Sequence, residues 1–311
     1  MSSRQSVFVG ERFANKDGKW FQIAEYITGK KIKVIFDESG FEAIVEGKQI
    51  RLGNLEDKLT KYPQPGQRYE TNLNGTLEIL EYKNAEEVVV KFVETGFITT
   101  CEFCQVKRGT VKDLTLARVH GVGYIGDGPY SGYKSLGKAN WAYLKWSGML
   151  GRCYAPMNER EAETYRGVVV WEHWHNFQNF AEWATNQIGY GNEGWAMEKD
   201  LLVRGNKFYG PDVCCFLPIE LNNQMLKAEK VRGEFPIGVS LHKSNGKFVA
   251  HCRQEGITST HVGIYDTVDE AFYAYKEAKE RRLKFLAEKW KSQIDPRAYE
   301  ALINYEVLIT D

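Results

Sequence analysis

The sequence predicts a multidomain α+β protein. Two small β-barrel repeats come first, then a mixed centre of strands and helices, then a three-stranded sheet packed on one helix. Three observations lead there. The first hundred-odd residues repeat at a fixed offset, the middle of the chain switches from two-residue to helical periodicity, and the last third joins a hairpin signal to a helix-capping sequence. The expected segments are 1–62 and 63–117 for the repeats, 118–230 for the centre, 231–293 for the sheet-and-helix module and 294–311 for a tail. With 311 residues and 43% hydrophobic content, the chain can bury more than one core.

Gly10-Glu11-Arg12-Phe13 matches Gly66-Gln67-Arg68-Tyr69, an offset of 66 − 10 = 56. The same offset pairs Glu25-Tyr26 with Glu81-Tyr82, Phe36 with Phe92, Gly40-Phe41 with Gly96-Phe97 and Gly53 with Gly109, without a gap. A fixed period marks a duplicated structural unit. Residues 20–26 and 31–36 alternate apolar and polar, as half-buried strands do, and 87–93 repeat the alternation. Thr28-Gly29 and Asp37-Glu38-Ser39-Gly40 supply turn chemistry between them. Several short strands in so small a unit suit a closed barrel, which leaves no strand edge exposed. The pattern resembles the Tudor-like and chromo-like barrels, and that resemblance implies binding of peptide or nucleic acid through surface aromatics. Phe41 and Phe97 are read as core. The linker 61–66 separates the repeats, and the glycine-rich stretch 121–128 reads as a boundary.

In the centre, Trp141, Leu144, Lys145 and Gly148-Met149 lie at helical spacing, ending before Pro156. A strand is expected over 167–171, and a second helix carries Trp174, Phe177, Phe180, Ala181 and Trp183. Residues 197–203 read as a strand, a turn at 204–206 and a loop through Tyr209-Gly210-Pro211 lead to Cys214-Cys215-Phe216-Leu217, and a helix after Pro218 carries Asn222 and Asn223. Trp-x-x-Met-Leu-x-Arg-Cys-Tyr at 146–154, Tyr-x-Gly at 165–167, Trp-x-x-Phe-x-x-Phe at 174–180, Glu-Lys-Asp-Leu-Leu-x-x-Gly-Asn-Lys at 198–207 and Tyr-x-Pro-x-x-Cys at 209–214 resemble a phage-encoded family related to HNH homing endonucleases.

That resemblance implies a degenerate HNH, or ββα-metal, centre cutting phosphodiesters with Mg²⁺ or Mn²⁺. Glu198, Lys199 and Asp200 take the place of the family's acidic-histidine pair, with Glu198 and Asp200 as metal ligands and Asn222 or Asn223 in the helix position. Lysine stands where the general base should be. An ammonium group is almost fully protonated at neutral pH, and flanking carboxylates favour its charged form, so Lys199 suits phosphate-charge stabilisation better than proton abstraction. His173 and His175 lie in an aromatic helix start, and a structural role is expected for them.

At the carboxyl end, residues 237–243 read as a strand, Asn245-Gly246 as a two-residue hairpin turn, 247–253 as a second strand and 260–265 as a third, after a turn at Gly256. Alternation places Lys247, Val249, His251 and Arg253 on one face and Phe248, Ala250 and Cys252 on the other. Thr267-Val268-Asp269-Glu270 is a capping box, and Ala271, Ala274, Tyr275 and Ala278 form a small-residue stripe that lets a helix lie close to the sheet. Asp295-Pro296 ends the helical pattern, and the tail packs back. Gly-Val-Ser-x-x-Lys, Gly-Lys-Phe-x-Ala-x-x-Arg and Gly-x-Tyr-Asp-Thr-x-x-Glu-Ala together resemble the APETALA/ethylene-response-factor DNA-binding domain. By position, Ser240, His242, Lys247, His251 and Arg253, with Lys243 in the same hairpin, fall where that family's sheet contacts double-stranded DNA.

Charge agrees with a local contact. The whole chain is neutral, which excludes coating nucleic acid by overall charge, whereas residues 226–293 carry 13 basic and 9 acidic side chains. The start of the chain has no apolar leader, no run is long enough to span a membrane, and 6 cysteines suit free thiols. Cys101-x-x-Cys104 has no second pair at zinc-site spacing. The expectation is a cytoplasmic protein of a phage-infected bacterium. Two readings stay open: a DNA-binding protein with metal-dependent nicking, or a non-catalytic DNA-binding or adaptor protein acting in phage regulation or host-defence interference. A host or phage protein is a candidate partner of the repeats.

Overall fold

The computed structural model describes residues 7–132, 140–225, 234–253 and 260–311. The turn expected at Gly256 lies outside them. The chain is mixed α/β with several small antiparallel sheets, and it divides into two compact units, 1–113 and 114–311.

In the first unit, β1 (Arg12–Ala14), β2 (Trp20–Tyr26), β3 (Lys31–Phe36) and β4 (Glu42–Glu46) form a meander, followed by the short helices α1 (Gly47–Arg51) and α2 (Lys58–Lys61). β5 (Arg68–Glu70), β6 (Thr76–Asn84), β7 (Glu87–Phe92), β8 (Ile98–Cys101) and α3 (Phe103–Arg108) repeat the arrangement. Register obeys the sequence offset. Arg12 faces Gln22 as Arg68 faces Glu78, and β2 and β6 are bulged at Ile23/Glu25 and Ile79/Glu81. The cores correspond as well, with Phe21, Phe36, Ile50 and Leu55 replaced by Leu77, Phe92, Val106 and Val111, all buried. Even the helix starts match: the Gln49 side chain accepts the Glu46 N–H and Gln105 accepts that of Glu102, each at 3.0 Å.

The expected closed barrels are not formed. Among the described residues β4 does not pair with β1, nor β8 with β5. After β4 the chain turns into a helix whose Ile50 joins the core, and the segment beyond it returns to the first hairpin. Lys16 N–H donates to the Gly53 carbonyl at 3.0 Å, and the buried Asn15 amide to Leu55 at 2.9 Å. In the second repeat Asn72 N–H donates to Gly109 at 2.8 Å and the Asn74 amide to Val111 at 3.0 Å. Gly53 and Gly109 hold φ of 63° and 66°, a backbone state that glycine adopts without strain. A helix and a loop thus stand where a closing strand pair was expected. Phe41 and Phe97 are half-buried against their cores, as expected.

The two units divide at 113/114, just ahead of the glycine-rich stretch expected to mark a boundary, and the stretch itself packs into the second unit. Tyr124 N–H donates to His175 and Phe177 N–H to Tyr124, both at 2.9 Å. A Cβ on Gly123 would lie 2.5 Å from Leu150 and 2.9 Å from Trp146, so glycine is required by close packing. α4 (Trp141–Tyr154) buries Ala142, Trp146, Met149 and Leu150, while Leu144 of the expected stripe stays exposed. After α5 (Glu159–Thr164), the strand expected over 167–171 shortens to β9 (Val169–Val170), then a single 3-10 turn (Glu172–His175) precedes α6 (Phe177–Thr185). β10 (Trp195–Glu198) pairs antiparallel with β12 (Cys215–Pro218), β11 (Phe208–Tyr209) runs parallel to β9, and α7 (Ile219–Asn222) follows β12 directly. β10 and β12 are thus adjacent in space but separated in the chain by β11, and the short α7 follows the second of them.

β13 (Val239–Leu241), β14 (Phe248–His251) and β15 (His261–Tyr265) form the terminal sheet, followed by α8 (Val268–Trp290). The capping box forms: Thr267 Oγ1 accepts Glu270 N–H at 3.2 Å, and Glu270 accepts Thr267 N–H at 3.1 Å. The hairpin is wider than the Asn-Gly signal predicts. Gly246 alone in that turn has positive φ, 69°, whereas a two-residue type I′ turn needs it at both central residues. α8 ends at Trp290, ahead of Asp295-Pro296 as expected, and that pair then starts another helix, because Asp295 caps α9 (Pro296–Ile303) and proline at the first position lacks the N–H that would otherwise be orphaned there. No helix among the described residues is long and apolar enough to cross a membrane.

Phe36→Ala and Phe92→Ala are equivalent lesions and should each lower stability by about 3–5 kcal/mol, whereas Phe41→Ala and Phe97→Ala should cost less than half as much. Urea denaturation of the full chain measures the difference. A cost as large at Phe41 as at Phe36 would contradict the core assignment.

Candidate functional site

The acidic run sits at the end of β10. Glu198 faces Cys215, three residue pairs from Pro218, where β12 enters α7. Glu198 and the strand end leading to Asn222 and Asn223 are therefore at opposite ends of the hairpin. The strand expected over 197–203 stops at Glu198 because that side chain captures the next backbone donors. Glu198 Oε1 accepts Lys199 N–H at 3.0 Å and Asp200 N–H at 2.6 Å. Burial holds the Glu198 carboxyl above its ordinary range; the backbone donors pull it down and the Asp200 charge pushes it further up.

Lys199 is buried and committed. Its Nζ donates to both Asp200 oxygens at 2.7 Å and to the Asn206 carbonyl at 3.1 Å. Asn206 answers with its amide to the Lys199 carbonyl at 2.9 Å, so the loop closes on itself. The Tyr209 ring lies 5.8 Å from the ammonium. Asn222 is half-buried with Oδ1 lacking a hydrogen-bond partner, and Asn223 is exposed. Mg²⁺ or Mn²⁺ does not fit these residues as placed. One Glu198 oxygen is taken by two backbone N–H groups, and Asp200 is clamped by an ammonium whose charge opposes a dication. Among the described residues, no group of three histidine, cysteine or acidic side chains could hold a metal. Cys101 and Cys104 are free thiols, and burial raises Cys101 to about 11.

The terminal sheet presents a different surface. Val239, Ala250 and Cys252 pack against Ala271, Phe272, Tyr275 and Ala278 of α8. The other face carries Ser240 and His251, joined by an Oγ–Nε2 hydrogen bond of 2.9 Å. Arg253, just past β14, is exposed. Lys247 is exposed but paired with Asp266 at 2.8 Å. His242 is half-buried, its Nδ1 3.0 Å from Ser244 Oγ, and Lys243 is exposed in the turn. Val249 departs from expectation: it is 5% exposed between its cross-strand partners Ser240 and Ile264, which gives the face an apolar centre.

Sequence reasoning missed two residues on this face. The irregularity between Ala250 and His251 brings His261 opposite His251, with ring centroids 6.4 Å apart, and Asp266 reaches Lys247. Neither could be placed without the register. It also missed Arg152, half-buried in α4 over the Tyr165 ring at 5.5 Å, with Nε lacking a hydrogen-bond partner. The only signal was its place in the tryptophan-methionine-arginine motif. Compared with known protein families, curated proteins and solved structures, the chain finds no match.

Glu198 generates a pH prediction. A carboxyl held above its ordinary value of 4.5 favours the protonated folded state, so its contribution is complete below 4.5 and is lost as pH rises through the raised value. Glu198→Gln should match the parent near pH 4 and melt higher than it at pH 8. Thermal melts at both pH values test this; a variant that melts lower at pH 8 than at pH 4, relative to the parent, would reverse the sign.

Proposed function

We propose that the protein binds double-stranded DNA through the open face of its terminal sheet, and that the central ββα element contributes binding without cutting. The observation that carries the reading is the division of that sheet. One face is sealed by α8, and the other carries Ser240 of β13 and His251 of β14, with the exposed Lys247 and Arg253 flanking β14 in the chain. A three-stranded sheet can enter a major groove, where arginine and lysine reach base edges and phosphates while serine and histidine donate or accept hydrogen bonds. The resemblance to the APETALA/ethylene-response-factor domain supports the same face.

The preference for binding over cleavage rests on how the acidic run is engaged. Lys199 neutralises Asp200, and Glu198 serves the local turn. The protein is then a DNA-binding or adaptor protein of the kind that phage homing endonucleases resemble in outline. The duplicated sheets of the first unit are its candidate contact with a host or phage protein.

Gel shifts on mixed-sequence duplex at low salt, where phosphate contacts are strongest, test the binding. Arg253→Ala should weaken it by about 5–100-fold, the range for losing one arginine contact. Asp266→Asn should strengthen it, because the substitution frees Lys247. Loss of affinity in Asp266→Asn would place Lys247 outside the interface. Plasmid incubated with Mg²⁺ or Mn²⁺ should stay supercoiled. Nicking that disappears in both Glu198→Ala and Lys199→Ala would establish the cleaving alternative.

A further inference from the structure

A groove on the surface of α6 lies outside both sites described above. It measures about 420 Å³, and its walls include Trp171, His173 and Trp183. Trp171 is 37% exposed, and its ring centroid lies 4.7 Å from that of His173. Trp183 packs on the fully buried Trp174 at 4.5 Å. Backbone bonds fix the walls: Trp171 N–H donates to Tyr209 at 2.8 Å and Trp174 N–H to Trp171 at 2.7 Å. The aromatic surface is therefore preformed, as ligand sites usually are.

The polar groups give the groove a sign. Glu182 lines it, is exposed, and makes no ion pair among the described residues. Asn186 and Gln187 line it too; each has its amide nitrogen bonded to a backbone carbonyl, of Glu182 at 2.8 Å and of Trp183 at 3.1 Å. That fixes each side-chain carbonyl as the remaining acceptor. No lysine or arginine lines the groove. Tryptophan faces, a carboxylate and carbonyl acceptors attract a cation and repel a phosphate.

We infer that this groove docks an arginine side chain of a partner protein, presented on an exposed segment. Charge complementarity supplies the choice of partner. Guanidinium is planar, stacks on tryptophan, is weakly hydrated, and offers several donors in a fork that can meet Glu182 and the amide carbonyls together. An ammonium group shares the charge but neither the plane nor the fork. The volume exceeds one side chain, so the flanking peptide fits as well. This inference does not depend on the DNA reading.

The test uses the full chain and three capped tripeptides, Gly-Arg-Gly, Gly-Lys-Gly and Gly-Glu-Gly, titrated at low salt while tryptophan indole N–H resonances are followed by NMR. The arginine peptide should shift the Trp171 resonance, assigned by its loss in Trp171→Phe, saturably at millimolar concentration or below. Glu182→Gln, an exposed and isosteric change, should weaken binding by about two- to five-fold, the range for losing one exposed ion pair. Its affinity for duplex DNA should stay unchanged. Absence of a saturable shift, an equal response to the glutamate peptide, or full affinity in Glu182→Gln would overturn the site. Equal affinity for the lysine peptide would overturn the assignment to arginine.

Discussion

Burial of α8 along its whole length is the constraint on which the second unit depends. Its first half, through Ala271, Phe272, Tyr275 and Ala278, seals the terminal sheet. Its second half, through Leu283, Leu286 and Ala287, enters the central core beside Ala298 and Leu302 of α9. At about 1.5 Å per residue, a helix of 23 residues is long enough to serve two cores in succession. Because α8 takes one face of the sheet, only the other can meet a ligand. The same helix pins the element that carries the asparagines. Lys279 and Arg282 both reach Gln224 Oε1 at 3.3 Å, and Lys289 and Trp290 hold Glu220 at 2.8 and 3.0 Å. Lys289 accordingly keeps the Glu220 carboxyl below its usual range.

The two candidate sites differ in where their charges go. At the end of β10, opposite charges are adjacent in the chain and satisfy one another: Lys199 faces Asp200, and Glu198 faces backbone donors. A site that neutralises itself has little left for a metal or a phosphate. On the terminal sheet, Ser240 and His251 hydrogen-bond each other, and among the described residues Lys247 alone of the expected contacts is in an ion pair, with Asp266. Surface pairs of this kind contribute little to stability, so Asp266 can be displaced by a phosphate at small cost.

The duplication could be read residue by residue because strand alternation and turn glycines are local signals, and both copies keep them in the same frame. Closure of the sheets could not be read. It turns on whether β4 finds β1, and a helical segment starting at Gly47 and Phe103 reaches the gap first. The packing of the glycine-rich stretch could not be read for a related reason. Glycine marks flexible linkers and tight packing alike, and only the neighbours Trp146 and Leu150 decide which is meant.

By itself, the sequence determined the repeat, the capping box of α8 and the alternation that gives the terminal sheet two unlike faces. Each of these follows from side-chain periodicity or hydrogen bonds within a few residues. Only the tertiary structure decided that Asp266 meets Lys247, that His261 comes opposite His251, that Lys199 is clamped by its neighbour, and that α8 is shared by two cores. These outcomes depend on register, burial and the direction a long side chain takes. All three are fixed when distant segments pack, because the cost of burying a charge or leaving a donor unpaired is set by what arrives beside it.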